Sequence, residues 1–365
     1  MSASLHVMTV VGARPQFVKA AMVSRAIVEY ASVHKDSIHE SIIHTGQHFD
    51  ANMSEIFFEQ MQIPKPAWNL NVHGGSHGAM TASMLEKIET LLLDKRPDLM
   101  LLYGDTNSTL AGALAASKLG VPIGHVEAGL RSFNRQMPEE INRVLTDHLS
   151  EFLFCPTHVS VHNLRSEGIT SGVFHVGDVM HDAAKLFGAL ADGKILEDHG
   201  LTSGEYFLAT CHRAENTDSK ERLEAIFTAL VQIAKEKPLV LPLHPRTRKM
   251  VTNFGLENLL EPLTILPPVS FLDIVALTQS AKALLTDSGG MQKEAYFHRI
   301  PCITLRDETE WVETIESGWN QLVGADFNAI CHAVSTLEPG RQEIPEYGDG
   351  NSSHKIVQKI LTLKS

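Results

Sequence analysis

Short apolar runs recur from Leu5 to Leu305, each stopped by a glycine or a polar cluster and most followed by a stretch of helical periodicity. That alternation constrains the fold more than any other feature. Strands separated by helices pair in parallel and need a covering layer on both faces. Leu5–Val11, Ser41–Thr45, Leu99–Tyr103, Val121–Val126, Phe152–Pro156 and Val173–Val176 read as strands of a first half. Tyr206–Thr210, Leu239–Leu243, Leu263–Leu266, Ala283–Thr286 and Cys302–Leu305 read as strands of a second, with Cys302–Leu305 the last clear one. Helices are expected over Phe17–Tyr30, Met53–Met61, Ala79–Leu93, Leu110–Leu119, Val159–Glu167, Glu221–Lys235, Phe271–Gln279 and Met291–His298, and Ile63–Val72 reads as a mobile loop. The pattern predicts an α/β chain of two doubly wound, Rossmann-like domains facing a cleft. The chain changes character over Asp182–Glu205, so the expected division is residues 1–178 and 179–350. A C-terminal helix within 351–365 is expected to cross back to the first domain.

At 365 residues the chain exceeds what one hydrophobic core usually serves. Its net charge of −12 argues against nucleic acid or an anionic membrane as partner, but leaves room for a small anion where cations converge. No run of about 18 apolar residues suggests a membrane span, and the opening MSASLHVMTVV lacks a signal-peptide pattern. The cytoplasm is the expected compartment. Cys155, Cys211, Cys302 and Cys331 lack CxxC spacing and read as reduced thiols. The 19 histidines include no HExxH or His/Cys cluster, so no metal is expected.

The densest chemistry lies in Gly104–Arg143. Asp105 sits where the strand Leu99–Tyr103 ends, and Asn107 or Ser108 is expected to cap the helix that follows. Glu127 emerges after Val121–Val126, and Pro138-Glu139-Glu140 opens a further helix. Ligands of open α/β sheets bind outside the carboxyl ends of the strands. Asp105, Glu127 and Glu139 are therefore delivered to one edge. Taken singly, each reads equally well as a cap or a solvated loop acid. Together, with arginines between them, they point to acid/base work, since crowded carboxyls push one another's pKa values apart. Near the start, Gly12-Ala13-Arg14-Pro15 turns a strand into a helix and offers the cations Arg14 and Lys19.

In the second half, Thr286-Asp287-Ser288-Gly289-Gly290 opens a helix. Glycine there lets backbone N–H groups approach a phosphate, Ser288 adds a donor, and the helix dipole favours an anion. Glu294 is placed to accept from ribose hydroxyls. The plainer alternative is a tight turn with a cap. His212 and His244 each follow a strand beside Arg213 and Arg246, as loop caps or as partners of a phosphate leaving group.

Gly12-Ala13-Arg14-Pro15, Gly46-Gln47-His48, Gly104-Asp105-Thr106, His125-Val126-Glu127-Ala128-Gly129-Leu130-Arg131, Pro138-Glu139-Glu140, His212-Arg213, His244-Pro245 and Asp287-Ser288-Gly289-Gly290 occur in one order. That order resembles the non-hydrolysing UDP-N-acetylglucosamine 2-epimerase family. The resemblance implies a GT-B-like fold, a UDP-sugar substrate, no metal or nicotinamide cofactor, and a homodimer. It implies elimination of UDP to a glycal, followed by re-addition of UDP while a proton returns to C2 from the other face. By that carry-over Asp105, Glu127 and Glu139 are the acid/base set, with His212 beside them at the leaving phosphate. Arg14, Lys19, Gln47, Arg131, Arg143 and His244 would contact substrate, and Ser288, Gly289, Gly290 and Glu294 would hold phosphate and ribose.

Three departures bear on the sugar. The family usually opens with GTRPE, where this chain has Gly12-Ala13-Arg14-Pro15-Gln16. It carries an Arg after the Thr-Glu pair that follows the last strand, where this chain has Trp311. It often reads PWPEE, where this chain has Met137. The segments at His212–Asn216 and His244–Arg248 are similar to the branch acting on UDP-2,3-diacetamido-glucuronic acid. The C6 carboxylate of that sugar would find a partner in Arg131, Arg135 or Arg246. A GT-B glycosyltransferase, a hydrolysing epimerase and a non-catalytic nucleotide-sugar sensor are the competing readings.

Overall fold

The computed structural model describes residues 4–35, 37–47, 64–338, 340 and 342–364. The helix expected over Met53–Met61 and the turn at His48 lie outside these residues. Two compact units emerge, Met1–Ala183 with Pro345–Ser365, and Ala184–Ile344.

The first unit runs β1 (Leu5–Val11), α1 (Arg14–Val33), β2 (Ile38–His44), β3 (Trp68–Asn69), α2 (His77–Lys95), β4 (Leu99–Tyr103), α3 (Asn107–Lys118), β5 (Ile123–Val126), α4 (Pro138–Leu149), β6 (Phe152–Cys155), α5 (His158–Ser166) and β7 (Val173–His175). Its strands lie in the order β3-β2-β1-β4-β5-β6-β7, every neighbouring pair parallel. Successive strand residues face opposite sides. Met8, Val10, Met100 and Leu102 therefore meet Met84, Ile88 and Leu92 of α2 and the alanines of α3 in one core. The small residues of α3 keep that helix close to the sheet.

Helix α6 (Val179–Leu190) leads into the second unit. There follow α7 (Lys194–Asp198), β8 (Phe207–Thr210), α8 (Ala214–Thr217), α9 (Lys220–Ala234), β9 (Leu239–Pro242), α10 (Pro245–Phe254), β10 (Thr264–Leu266), α11 (Phe271–Gln279), β11 (Ala283–Thr286), α12 (Gly289–Phe297), β12 (Cys302–Thr304), α13 (Val312–Glu316), β13 (Asn320–Leu322) and α14 (Phe327–Ser335). The order is β10-β9-β8-β11-β12-β13, again all parallel. Phe207 and Ala209 pack with Leu223, Ile226 and Phe227 on one face, while Leu208 and Leu284 pack with Ala276, Leu277 and Ala295 on the other. Helix α15 (Ser352–Ile360) returns to the first unit and packs on α1.

Three local expectations change. Cys302–Thr304 is followed by a further strand, β13, whose Asn-Gln-Leu sequence carries no apolar signal. The sequence predicts a loop throughout Ile63–Val72, yet Trp68–Asn69 pairs with β2, and Leu70 and Val72 are buried. The cap of α3 is Thr106, whose hydroxyl accepts from the Thr109 N–H, rather than Asn107 or Ser108.

Candidate active site

Each sheet reverses its strand order once, between β1 and β4 in the first unit and between β8 and β11 in the second. The carboxyl ends flanking such a reversal are where open α/β sheets place ligands.

In the first unit, β1 ends at Gly12, β4 at Gly104-Asp105 and β5 at Glu127. Gly12 has no room for a side chain: an added Cβ would stand 2.2 Å from the hydroxyls of both Thr45 and Ser108. Ser108 in turn gives its N–H and hydroxyl to Gln47 Oε1, at 3.0 and 2.7 Å. Lys19, on the first turns of α1, pairs with Glu127. Both side chains are 10% exposed, so this ion pair is far less screened than a surface one. Glu127 holds a left-handed backbone with φ 74°, a conformation that costs a non-glycine residue energy and clusters at functional sites. Gly104, at φ 61°, takes the left-handed turn without that cost, and a Cβ there would approach Lys19 Nζ to 3.4 Å and Glu127 Oε2 to 3.5 Å.

Asp105 pairs with Arg143, which also lies 3.2 Å from Glu140. The Asp105 carboxyl is raised above its ordinary pKa. The surrounding protein raises it most, Arg143 opposes, Glu127 adds to the rise and Lys19 counters it. Lys19, Asp105, Glu127 and Arg143 thus form alternating charges at one sheet edge. Glu139 is exposed in the first turn of α4, whereas its neighbour Glu140 is buried and accepts from the Ser132 and Phe133 N–H groups. Arg131, expected among the substrate contacts, is 1% exposed on its side chain and lies on Asp147 at 2.7 Å and on both oxygens of Glu167. The side chain of Arg14 lies outside the described residues.

Behind this edge stands a buried network that the sequence pattern does not announce. His125 Nε2 donates to the Gly104 carbonyl at 2.8 Å, and its Nδ1 lies 2.7 Å from Asp147 Oδ1. Asp147 Oδ2 accepts from the Gly129 N–H and from Arg131. Burial would raise the Asp147 pKa, but the hydrogen bonds and charges of His125 and Arg131 outweigh it and hold it below the usual carboxylate range. The block His125–Arg131 therefore owes part of its pattern to architecture.

In the second unit, Asp287 is fully buried and accepts from the His212 and Arg213 N–H groups and from Asn216. It fixes the turn after β8 against the end of β11. His212 is 39% exposed on its side chain, 3.6 Å from Asp287, and its ring lies 5.9 Å from that of His244. Its pKa is lowered, by burial first and then by His244 and Arg213, with Asp287 opposing. His244 caps α10, its Nδ1 accepting from the Arg246 N–H at 3.2 Å, which leaves Nε2 to carry a hydrogen. Arg246 itself donates from Nη2 to both oxygens of Asp218, at 2.7 Å each. Ser288 is the N-cap of α12 but makes no side-chain cap bond, and the first N–H groups of the helix, those of Gly289 and Gly290 among them, have no partner within it at its positive end. Glu294 is half-buried on the same helix. Trp311 carries the Lys293 ammonium over its ring at 3.8 Å. Among the described residues, no group of three or more His, Cys, Asp or Glu could hold a metal, and no helix is long and apolar enough to cross a membrane.

A family model described as UDP-N-acetylglucosamine 2-epimerase matches residues 31–361. The chain is 51% identical to the UDP-2,3-diacetamido-2,3-dideoxy-D-glucuronate 2-epimerase of Pseudomonas aeruginosa, over 98% of this chain and 100% of that one. It is 44% identical to a UDP-N-acetylglucosamine 2-epimerase of Methanococcus maripaludis, over 96% and 97%. Its fold is similar to that of the Methanocaldococcus jannaschii UDP-GlcNAc 2-epimerase solved with UDP-GlcNAc and UDP. That match has a TM-score of 0.88 at 42% identity and covers 98% of this chain and 100% of that one.

Proposed function

The chain belongs to the UDP-N-acetylglucosamine 2-epimerase family, and on that premise we propose that it inverts C2 of a UDP-2-acetamido sugar without net hydrolysis. The observation that carries this reading is the group Lys19–Glu127 and Asp105–Arg143, gathered at the carboxyl ends of β4 and β5 by α1 and α4.

The proton on C2 is barely acidic in the ground state. It becomes removable as the C1–O bond breaks and its electron pair leaves with UDP. One carboxylate takes the proton while the C–H pair closes the C1=C2 double bond of a glycal. UDP oxygen then re-adds to C1 as an acid returns a proton to C2 from the opposite face. Two faces require two acid/base groups, drawn from Asp105, Glu127 and Glu139. The raised pKa of Asp105 supports its holding a proton at one stage of the cycle. Charge growing on the departing diphosphate calls for preorganised donors. Arg14, Lys19, His212, Ser288, Gly289 and Gly290 take that part, Glu294 takes the ribose, and Gln47, Arg143 and His244 complete the substrate contacts. Arg131 joins them through the turn it braces.

Incubation in D2O with UDP-GlcNAc, and in parallel with its 2,3-diacetamido glucuronate counterpart, tests the reading. Deuterium should enter C2 of at least one of them with the nucleotide sugar conserved. Absence of exchange in both, or accumulation of free sugar and UDP, would overturn it.

A second reading, that the sugar is the 2,3-diacetamido glucuronate, is supported by the 51% identity to that enzyme and by the likeness of His212–Asn216 and His244–Arg248 to its branch. A substrate panel read by NMR at C2 separates the two sugars. A cytoplasmic homodimer completes the proposal; light scattering that shows a monomer throughout would remove the dimer.

A further inference from the structure

Three successive carbonyls lead into Asp105, and each is held by a side chain from a different element. Gln16 Nε2, from α1, donates to the Tyr103 carbonyl at 2.7 Å. His125 Nε2, from β5, donates to that of Gly104 at 2.8 Å. Asn142 Nδ2, from α4, donates to that of Asp105 itself at 2.9 Å. We propose that Gln16, His125 and Asn142 are positioning residues, a three-point clamp that fixes the peptide carrying Asp105 and so sets its carboxyl against C2 of the sugar. The inference rests on the epimerase reading above.

Gln16 is the informative member. Its Oε1 accepts from the Gly12 and Ala13 N–H groups at 2.8 and 3.0 Å, and its Nε2 also reaches Thr109 Oγ1 at 2.9 Å. It is 1% exposed, and every hydrogen-bonding group on its amide has a partner. A carboxylate at this position would keep the two acceptor contacts and would set a second oxygen against the Tyr103 carbonyl. Two acceptors cannot share that contact unless one of them carries a proton. The amide therefore ties the turn bearing Arg14 and the helix bearing Lys19 to the strand end bearing Asp105.

Asn142→Asp tests the clamp through pH, because a carboxylate there meets the Asp105 carbonyl with the same conflict of two acceptors. Displacement of a reacting group by about 1 Å costs on the order of 100-fold in turnover. Under mildly alkaline conditions the variant should lose kcat on that scale, with UDP affinity by calorimetry unchanged. As pH falls and the introduced carboxylate takes up a proton, it can donate to the Asp105 carbonyl, and the ratio of variant to parent kcat should climb. Lys19, His77, Asp105, Glu127, Glu140 and Arg143, the titratable and charged groups around it, are present in both proteins, so the ratio reads what the new carboxylate adds. Gln16→Met provides a second arm: it keeps the length of the side chain, removes both donors, and should lose kcat without recovery at low pH. A ratio flat with pH for Asn142→Asp, parental kcat in Gln16→Met, or loss of UDP affinity in step with kcat, overturns the clamp. A parent enzyme without C2 exchange overturns the epimerase reading instead, so the two failures are distinguishable.

Discussion

Replacing Asp147 with Asn removes one negative charge from a site where the side chains of Asp147 and His125 are 0% exposed and that of Arg131 is 1% exposed. Removing one partner of a buried pair costs about 3–5 kcal/mol, because the partner's charge is left uncompensated. Here two features place the loss near the lower bound. Arg131 keeps both oxygens of Glu167, at 2.7 and 2.8 Å. His125 keeps its Nε2 donation to the Gly104 carbonyl, which the substitution does not touch. The expected loss is therefore about 3 kcal/mol, which lowers Tm by roughly 6–12 °C for a body of this size. Scanning calorimetry of both proteins reads it. The folded Asp147 has a lowered pKa, so its contribution is complete above the ordinary carboxylate pKa and is lost as pH falls through the folded value. The Tm gap between parent and variant should accordingly close on acidification. An unchanged Tm at neutral pH, or a gap that widens in acid, would refute this account of the network.

Asp105→Asn and Glu127→Gln should each slow C2 deuterium exchange by about 100- to 10,000-fold while UDP still binds, as loss of a general acid or base does; exchange at the parent rate removes that carboxyl from the mechanism. Ser288→Ala should weaken UDP by about 10-fold or more, the scale of a hydrogen bond to a charged group, with no loss of Tm, because the hydroxyl makes no cap bond in α12; equal UDP affinity by calorimetry rules out that contact. Glu40 has a pKa raised by burial, against opposing hydrogen bonds from Ser24 and Thr9. The folded chain therefore keeps that proton to a higher pH than the unfolded chain does, and stability drains away as pH rises between the two values. Glu40→Gln should gain Tm relative to the parent as pH increases, and a difference independent of pH counts against it.

The parallel architecture is readable because most of its strands are continuous apolar runs, such as Leu99–Tyr103 and Ala283–Thr286, with helical periodicity after them. The misses share one cause, since they are set by tertiary partners rather than by local pattern. Asn320–Leu322 is a strand because Cys302–Thr304 offers an edge, and nothing in Asn-Gln-Leu announces it. Thr106 caps α3 because its two neighbours are taken by other elements, Asn107 by His77 and Asn142 and Ser108 by Thr45 and Gln47, while its own hydroxyl meets the Thr109 N–H. The motif residues are visible as chemistry, but sequence does not divide their labour. Glu139 and Glu140 are adjacent and alike on paper, yet one is exposed and the other braces a turn. Gln16 registers as a departure from a motif, and its four hydrogen bonds become apparent only when β1 and β4 lie side by side.

The first unit is assembled from both ends of the chain, with Ala184–Ile344 inserted between its pieces. On a ribosome, the surface of α1 that receives α15 must stay uncovered until the inserted segment has been made. At ordinary elongation speeds that wait is on the order of 10–30 s. The inserted unit is contiguous and can finish first, so a chain released shortly before Pro345 would carry one completed Rossmann-like body and one still missing its closing helix.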